Sequence, residues 1–131
     1  MTINQLDDGL KTLIKQHKNY QKRPLIIYSA VWPFLKIMKG KKNKIILDIF
    51  KVLTNLRSKN QDLLMPSFGN GYKDGIFNSD NEKSKNGILS EMFRIHPKSE
   101  RTLSAFFSYN ILGPNQKLVS NLKPKNCFGK N

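Results

Sequence analysis

The segment Ser84-Lys85-Asn86-Gly87-Ile88-Leu89-Ser90-Glu91-Met92-Phe93-Arg94 carries the densest set of structural signals in this chain. Ser84 is a residue type favoured at helix N-caps, where its hydroxyl accepts from a free amide of the first turn. Ile88, Leu89, Met92 and Phe93 follow at helical spacing and predict one apolar face. Gly87 is a poor helix former, but a glycine in a first turn lets a ligand or a second backbone come close. Free amides, the positive end of the helix dipole and Lys85 together suit an anion such as phosphate. The same features also suit an ordinary surface helix with an exposed lysine.

Working outward, the chain reads as alternating helices and short strands. Ile3, Leu6, Leu10, Leu13 and Ile14 predict an amphipathic helix that ends near the polar run from Lys15 to Arg23. Leu25-Ile26-Ile27-Tyr28 reads as a short buried strand opened by Pro24. Ile45, Ile46, Ile49, Phe50, Leu53 and Leu56 predict a second helix, and Leu63 to Met65 a second strand. A strand, a crossover helix and a second strand of this length form a βαβ unit with a parallel pair. Residues 69–83 are rich in Gly, Asn, Asp and Ser and read as a loop. His96-Pro97 breaks the central helix. Phe106 to Leu112 reads as a strand, and Pro114 opens a short helix running to Leu122. The expected class is α/β, with short parallel-type strands and crossover helices, over one domain spanning residues 1–131.

Composition narrows the function classes. The chain has 131 residues and a formal net charge of +14, with 23 lysines and arginines against 9 acidic residues. Such a balance attracts nucleic acid, anionic lipid or phosphorylated ligands without naming one. The basic residues are spread along the chain and accompany many asparagines, isoleucines and serines, a pattern that an AT-rich coding sequence also produces. Cys127 is the only cysteine, so an internal disulfide and a cysteine metal cluster are both excluded, and a cytoplasmic location is the expectation. No apolar run approaches membrane-spanning length, so no membrane partner is expected. No metal site is predicted.

Several short motifs recur in order along the chain. Leu63-Leu64-Met65-Pro66-Ser67-Phe68 is followed by Phe77-Asn78, by the segment quoted above, by Arg101-Thr102-Leu103, by Ser108 and by Gly113-Pro114. Their order and spacing resemble the aminoglycoside 3-N-acetyltransferase family, the antibiotic N-acetyltransferases, from about Pro24 to the last residue. That family reads Met-Pro-Thr/Ser-Phe, then Phe-Asp, then Pro-Ser-Lys-x-Gly-x-Leu-x-Glu-x-Phe-Arg. Arg-Ser-x-His-Pro-x-His-Ser and Gly-Pro follow. The resemblance implies an incomplete version of the antibiotic N-acetyltransferase fold, its N-terminal half. It also implies acetyl-CoA as cofactor and an amino-sugar acceptor such as an aminoglycoside. Ser29, Ser84, Lys85 and Gly87 match positions beside the coenzyme A arm, and Arg101 matches an arginine near the cofactor and substrate cleft. Glu91 matches a glutamate that helps orient a substrate amine. Read without the resemblance, Ser29 suits a strand-end turn, Glu91 an exposed helix carboxylate, and Arg101 a surface position.

The departures fall on the chemistry. Acetyl transfer to an amine needs a deprotonated amine and a stabilised oxyanion, and a positioned histidine base contributes about 10²–10⁴-fold. The family's base is the second histidine of His-Pro-x-His-Ser. Here that stretch is Ser104-Ala105-Phe106-Phe107-Ser108, so Phe107 occupies the histidine position. Phenylalanine can neither take a proton nor accept a hydrogen bond. Tyr28 and Ala30 likewise replace a histidine and a serine of the family's His-Ser-Ser-Leu, and Lys39-Gly40-Lys41-Lys42 stands near its glycine pair. Of the two remaining histidines, His17 lies after the first helix, and His96 is placed to complement the dipole of the central one. Phe128-Gly129-Lys130-Asn131 ends where the family continues with about as much sequence again. The expectation is therefore a weak or inactive N-acetyltransferase. The alternative is a catalytically silent relative that binds coenzyme A, a partner chain or a second copy of itself. A basic nucleic-acid-binding module ranks last, for want of aromatics interleaved on a basic strand.

Overall fold

The computed structural model describes residues 1–70, 73 and 75–122. Cys127 and the Phe128-to-Asn131 end lie outside the described residues. Helix α1 (Ile3–Lys15) starts at a capping box: the Gln5 amide donates to Thr2 Oγ1 at 3.2 Å and the Thr2 amide donates back to Gln5 Oε1 at 2.9 Å. Strand β1 (Leu25–Ile26) and helix α2 (Trp32–Ile37) follow, then helix α3 (Lys42–Asn55). Strand β2 (Leu63–Pro66), helix α4 (Ile88–Arg94), strands β3 (Glu100–Arg101) and β4 (Tyr109–Leu112) and helix α5 (Gln116–Ser120) complete the order. Among the described residues, no helix is long and apolar enough to cross a membrane.

The βαβ expectation holds. β1 and β2 are parallel, with Leu25 opposite Leu63 and Ile26 opposite Leu64. The sheet order is β1-β2-β4-β3, and both pairings of β4 are antiparallel. The expected parallel-type sheet is thus corrected to a mixed one with a single parallel pair. The short loop between β3 and β4 turns the chain back on itself, and such a return gives an antiparallel pair. The α/β class stands.

Leu63 and Met65 point to one face of the sheet and are fully buried against Ile45, Ile46, Ile49 and Leu53 of α3 and Leu89 and Phe93 of α4. Leu6 of α1 closes the far side of α3. Two-residue alternation sends Ile26, Leu64 and Ile111 to the second face, where they form one cross-strand row. α5 packs chiefly on β3 and β4. Exposure along that row therefore falls from 54% at Ile26 to 1% at Ile111.

Four local expectations are corrected. The central helix is not capped by Ser84: it begins at Ile88 with Gly87 as N-cap at φ 100°, because Ser84 to Asn86 are tied elsewhere. Of its apolar set, Leu89 and Phe93 are buried, whereas Ile88 is about half exposed. The strand expected over 106–112 begins only at Tyr109, since Phe107 turns back to donate its amide to Ser104 Oγ. The last helix begins at Gln116, not at Pro114, because Asn115 is held by Asp62 through two hydrogen bonds of 3.0 and 2.8 Å. α2 and β3 carry no periodic signal, being six and two residues long.

Phe93 is fully buried and sits edge-on to Phe50 at 6.5 Å between ring centroids. Phe93→Ala should destabilise the fold by about 3–5 kcal/mol, read as a lowered urea midpoint with an unchanged slope.

Candidate functional site

The carboxyl ends of β1 and β2 share one end of the sheet because the two strands are parallel. Ligands of open α/β sheets gather at such ends. β1 leads into Tyr28 and Ser29. β2 leads into Ser67 and Phe68, where the Ser67 amide donates to Ser108 O at 2.9 Å. Phe68 fixes the segment ahead of α4 from both sides. Its amide donates to Asn86 Oδ1 at 2.7 Å, and its carbonyl accepts the Lys85 amide at 2.7 Å. Ser29, Ser84, Lys85 and Gly87 are therefore brought to the same sheet end from two separate stretches of chain.

Ser29 Oγ is buried and has no hydrogen-bond partner. Such a hydroxyl costs stability unless something pairs with it. Gly87 has open space where a Cβ would project, and a backbone conformation that other residues adopt with strain. Lys85 is exposed. Ser84 turns inward instead, its amide donating to Glu91 Oε2 at 2.8 Å while its hydroxyl accepts the Asn86 amide at 3.2 Å.

Glu91 is no free helix carboxylate. Arg94 donates to it from Nε at 2.8 Å and from Nη2 at 2.6 Å. These charge-assisted bonds, helped by the Ser84 amide and opposed by partial burial, hold its carboxyl below the ordinary glutamate value near 4.5. A carboxylate so occupied is a poor proton acceptor at neutral pH.

Arg101 is only 8% exposed, which rules out the surface alternative. Its Nη2 donates to Ser67 O and its Nη1 to Glu82 O and Ser79 O, while Nε donates to the buried Ser108 Oγ at 3.2 Å. Ser108 Oγ in turn donates to Ser67 O at 2.8 Å. Phe77 lies against the guanidinium at 5.1 Å. Burial lowers the pKa of Arg101, yet an arginine remains charged in any protein environment. This hub was not foreseen as a unit. Ser67 and Ser108 are flagged in the sequence only by motif order, and three of the acceptors are backbone carbonyls, which no side-chain pattern reveals.

The expected histidine position is an aromatic cluster. Phe107 is about half exposed and meets Phe68 edge-on at 5.6 Å, and Phe68 meets Tyr109 edge-on at 5.5 Å. The Tyr28 and Tyr109 hydroxyls are hydrogen-bonded to each other. That bond, with partial burial, pushes Tyr109 up to about 12, so its phenol stays protonated across the physiological range. Phe107 and Tyr109 also border a mostly apolar groove of about 310 Å³ that includes Ser104 and Thr102. His17 follows α1, and His96 follows α4 beside Phe50, where its Nδ1 accepts the Lys98 amide at 3.2 Å. Among the described residues, no group of acidic, histidine or cysteine side chains is arranged to hold a metal.

Comparison with solved structures adds the relationship. The chain superposes on AAC-IIIb, solved as a binary complex with CoASH, with a TM-score of 0.66 at 14% identity, covering 90% of this chain and 49% of that one. The fold is similar to about half of an aminoglycoside acetyltransferase fold. AAC(3)-Xa matches with a TM-score of 0.65 at 13% identity, over 90% of this chain and 47% of the other. The YokD protein from Bacillus subtilis matches with 0.60 at 17%, over 87% and 54%. The chain thus spans about half the length of the solved structures it matches. No protein-family model and no curated protein matches the sequence.

The Glu91–Arg94 pair has a pH signature. A carboxyl held low in the folded chain contributes stability above its unfolded value, and that contribution disappears as pH falls through the folded value. Glu91→Gln should cost about 1 kcal/mol at pH 7. Below the ordinary glutamate value near 4.5 the gap should close, so urea midpoints of the two proteins should converge in acid.

Proposed function

We propose that this chain is a half-length relative of the acetyl-CoA-dependent aminoglycoside N-acetyltransferases that keeps a coenzyme A site and transfers acetyl groups weakly or not at all. The observation that carries this reading is Phe107. It stands at the family's histidine position, at the sheet end where Ser29, Lys85 and Gly87 gather, and its neighbours there are phenyl and phenol rings.

The residues present fit part of a coenzyme A arm. The Ser29 hydroxyl, unpartnered among the described residues, suits a pantetheine amide, and Gly87 has open space where a Cβ would project. The Lys85 ammonium suits a phosphate as a point charge. The anion argument does not rest on a helix terminus, since α4 has seven residues and a glycine cap. When bound, the acetyl thioester would supply an electrophilic carbonyl. This chain's own part would be to hold the arm and to exclude water with Phe68, Phe107 and Tyr109.

What the arrangement lacks is a proton acceptor. An amino-sugar amine is protonated at neutral pH and is nucleophilic only after losing that proton. Tyr109, pushed up to about 12, keeps its own proton, and Glu91 is occupied by Arg94 and Ser84. In this reading Arg101 shapes the substrate side through the loop it anchors. The bare end of the Ile26–Leu64–Ile111 row supports the second reading, a chain that works with a partner or a second copy. A cytoplasmic location accords with both. Nucleic-acid binding rests on net charge alone.

Coenzyme A at millimolar concentration should raise the melting temperature, less so at high salt, and Lys85→Ala should remove most of the shift. No shift for the unmodified chain would overturn the cofactor site. Thiol release from acetyl-CoA with a panel of aminoglycosides should stay near background. Phe107→His should raise it little, because half of the length of the matched structures has no counterpart here. Robust turnover that survives mutation of both histidines would overturn this account of the catalytic step.

A further inference from the structure

At the other end of the sheet, the amino end of β2 and the carboxyl end of β4 border an open groove of about 510 Å³. Arg57, Lys59, Lys98 and Lys117 converge on it from three separate stretches, with Glu100 and Leu112 between them. Lys59, Lys98 and Lys117 are exposed and take part in no ion pair among the described residues. Glu100 is turned to Ser120, whose hydroxyl donates to Oε2 at 2.6 Å. Like charges lining one groove repel one another and favour an anionic occupant.

The backbone that carries these cations is held by dedicated hydrogen bonds. The buried Gln61 amide donates to Tyr20 O and Arg23 O, both at 2.6 Å, and accepts the Ser58 amide at 3.0 Å, which fixes the turn carrying Arg57 and Lys59. Arg57 Nη1 folds over that turn onto Gln61 O at 3.1 Å, and its Nε and Nη2 donate to no protein group among the described residues. On the opposite wall, Gln116 donates to Lys98 O at 2.9 Å and accepts the Gly113 amide at 3.0 Å, tying the Lys98 backbone to the start of α5 and so to Lys117. Gly113 itself admits no side chain, since a Cβ would lie 2.7 Å from Asp62 Cα. Both walls are thus preorganised, which lowers the ordering cost of binding.

We infer that this groove is a second anion site, for a compact molecule carrying linked phosphates. Several cations on one groove suit several phosphates better than one. The volume lies within the range of small-molecule sites, roughly 300–1,000 Å³. Pro97, Pro114 and Leu112 offer an apolar wall to an uncharged portion. None of the lining residues is aromatic, whereas surfaces for single-stranded nucleic acid stack bases on aromatic rings. A small oligophosphate therefore fits better than a nucleic-acid strand. The site lies beyond the opposite strand ends from Ser29 and Phe107, so it stands or falls apart from the coenzyme A reading.

The test is titration calorimetry of the full chain with inorganic tripolyphosphate and with ATP, at low and at physiological salt. Saturable one-to-one binding is expected. The triple variant Lys59→Ser, Lys98→Ser, Lys117→Ser should weaken it at least about 30-fold, taking roughly threefold for each exposed charge contact. A charge-matched variant at the far end of α3, Lys39→Ser, Lys41→Ser, Lys42→Ser, should weaken it by less than about threefold. Matching melting curves check that both triple variants fold. Equal affinity for the two probes identifies bare phosphates as the ligand, and tighter ATP binding identifies a nucleoside phosphate lying on the apolar wall. Absence of binding at low salt, equal weakening by both triple variants, or a single-stranded oligonucleotide that binds where tripolyphosphate does not would each overturn the inference.

Discussion

The structure depends on one buried cation. Arg101 brings its guanidinium to Ser67 O at the end of β2, to Ser79 O and Glu82 O on the long loop, and to Ser108 Oγ ahead of β4. Each of these groups would otherwise need another partner, and a charge taken out of water is tolerated only when its donors are well satisfied. A guanidinium suits this task because its five N–H groups point along a fixed fork, which a lysine ammonium does not reproduce. Through this side chain Ser79 and Glu82, on the stretch that leads to α4, are tied to the end of β2. That stretch delivers Ser84 to Gly87 to the sheet end.

Much of the architecture was legible in the sequence where periodicity runs long enough. α1 and α3 declare themselves through Ile3-Leu6-Leu10 and Ile45-Ile46-Ile49-Leu53, and the parallel β1–β2 pair follows from the crossover between them. Legibility fails where tertiary hydrogen bonds override local preference. Ser84 has the chemistry of an N-cap, but Asn86 is drawn to Phe68 and Glu91 takes the Ser84 amide. The cap position then falls to Gly87, the residue that tolerates the required backbone. β3 has two residues and no pattern of its own, and its antiparallel place beside β4 is set by the chain's return.

The candidate site was legible as a set of positions and not as a set of interactions. Ser29, Lys85 and Gly87 do share one sheet end, whereas Arg101 and Glu91 prove to be spent largely on the protein itself. The tyrosine pair was beyond reach of sequence reading, since Tyr28 and Tyr109 meet only because β1 and β4 flank β2. The net charge of +14 resolves into different local environments. Arg94 and Arg101 serve the interior, while Lys59, Lys98 and Lys117 line a groove and form no ion pair among the described residues.

The central pairing of the sheet also bears on the order of events in folding. Pro66 lies opposite Tyr109, with the entire long loop and α4 between them in the chain. Closing so long a segment is entropically costly before any contact rewards it, and topologies built on distant pairings fold slowly. Leu25 and Leu63 are almost as far apart along the chain, so both pairings of β2 carry a similar closure cost. The sheet end that gathers Ser29, Lys85 and Phe107 therefore takes shape only when both distant pairings are in place.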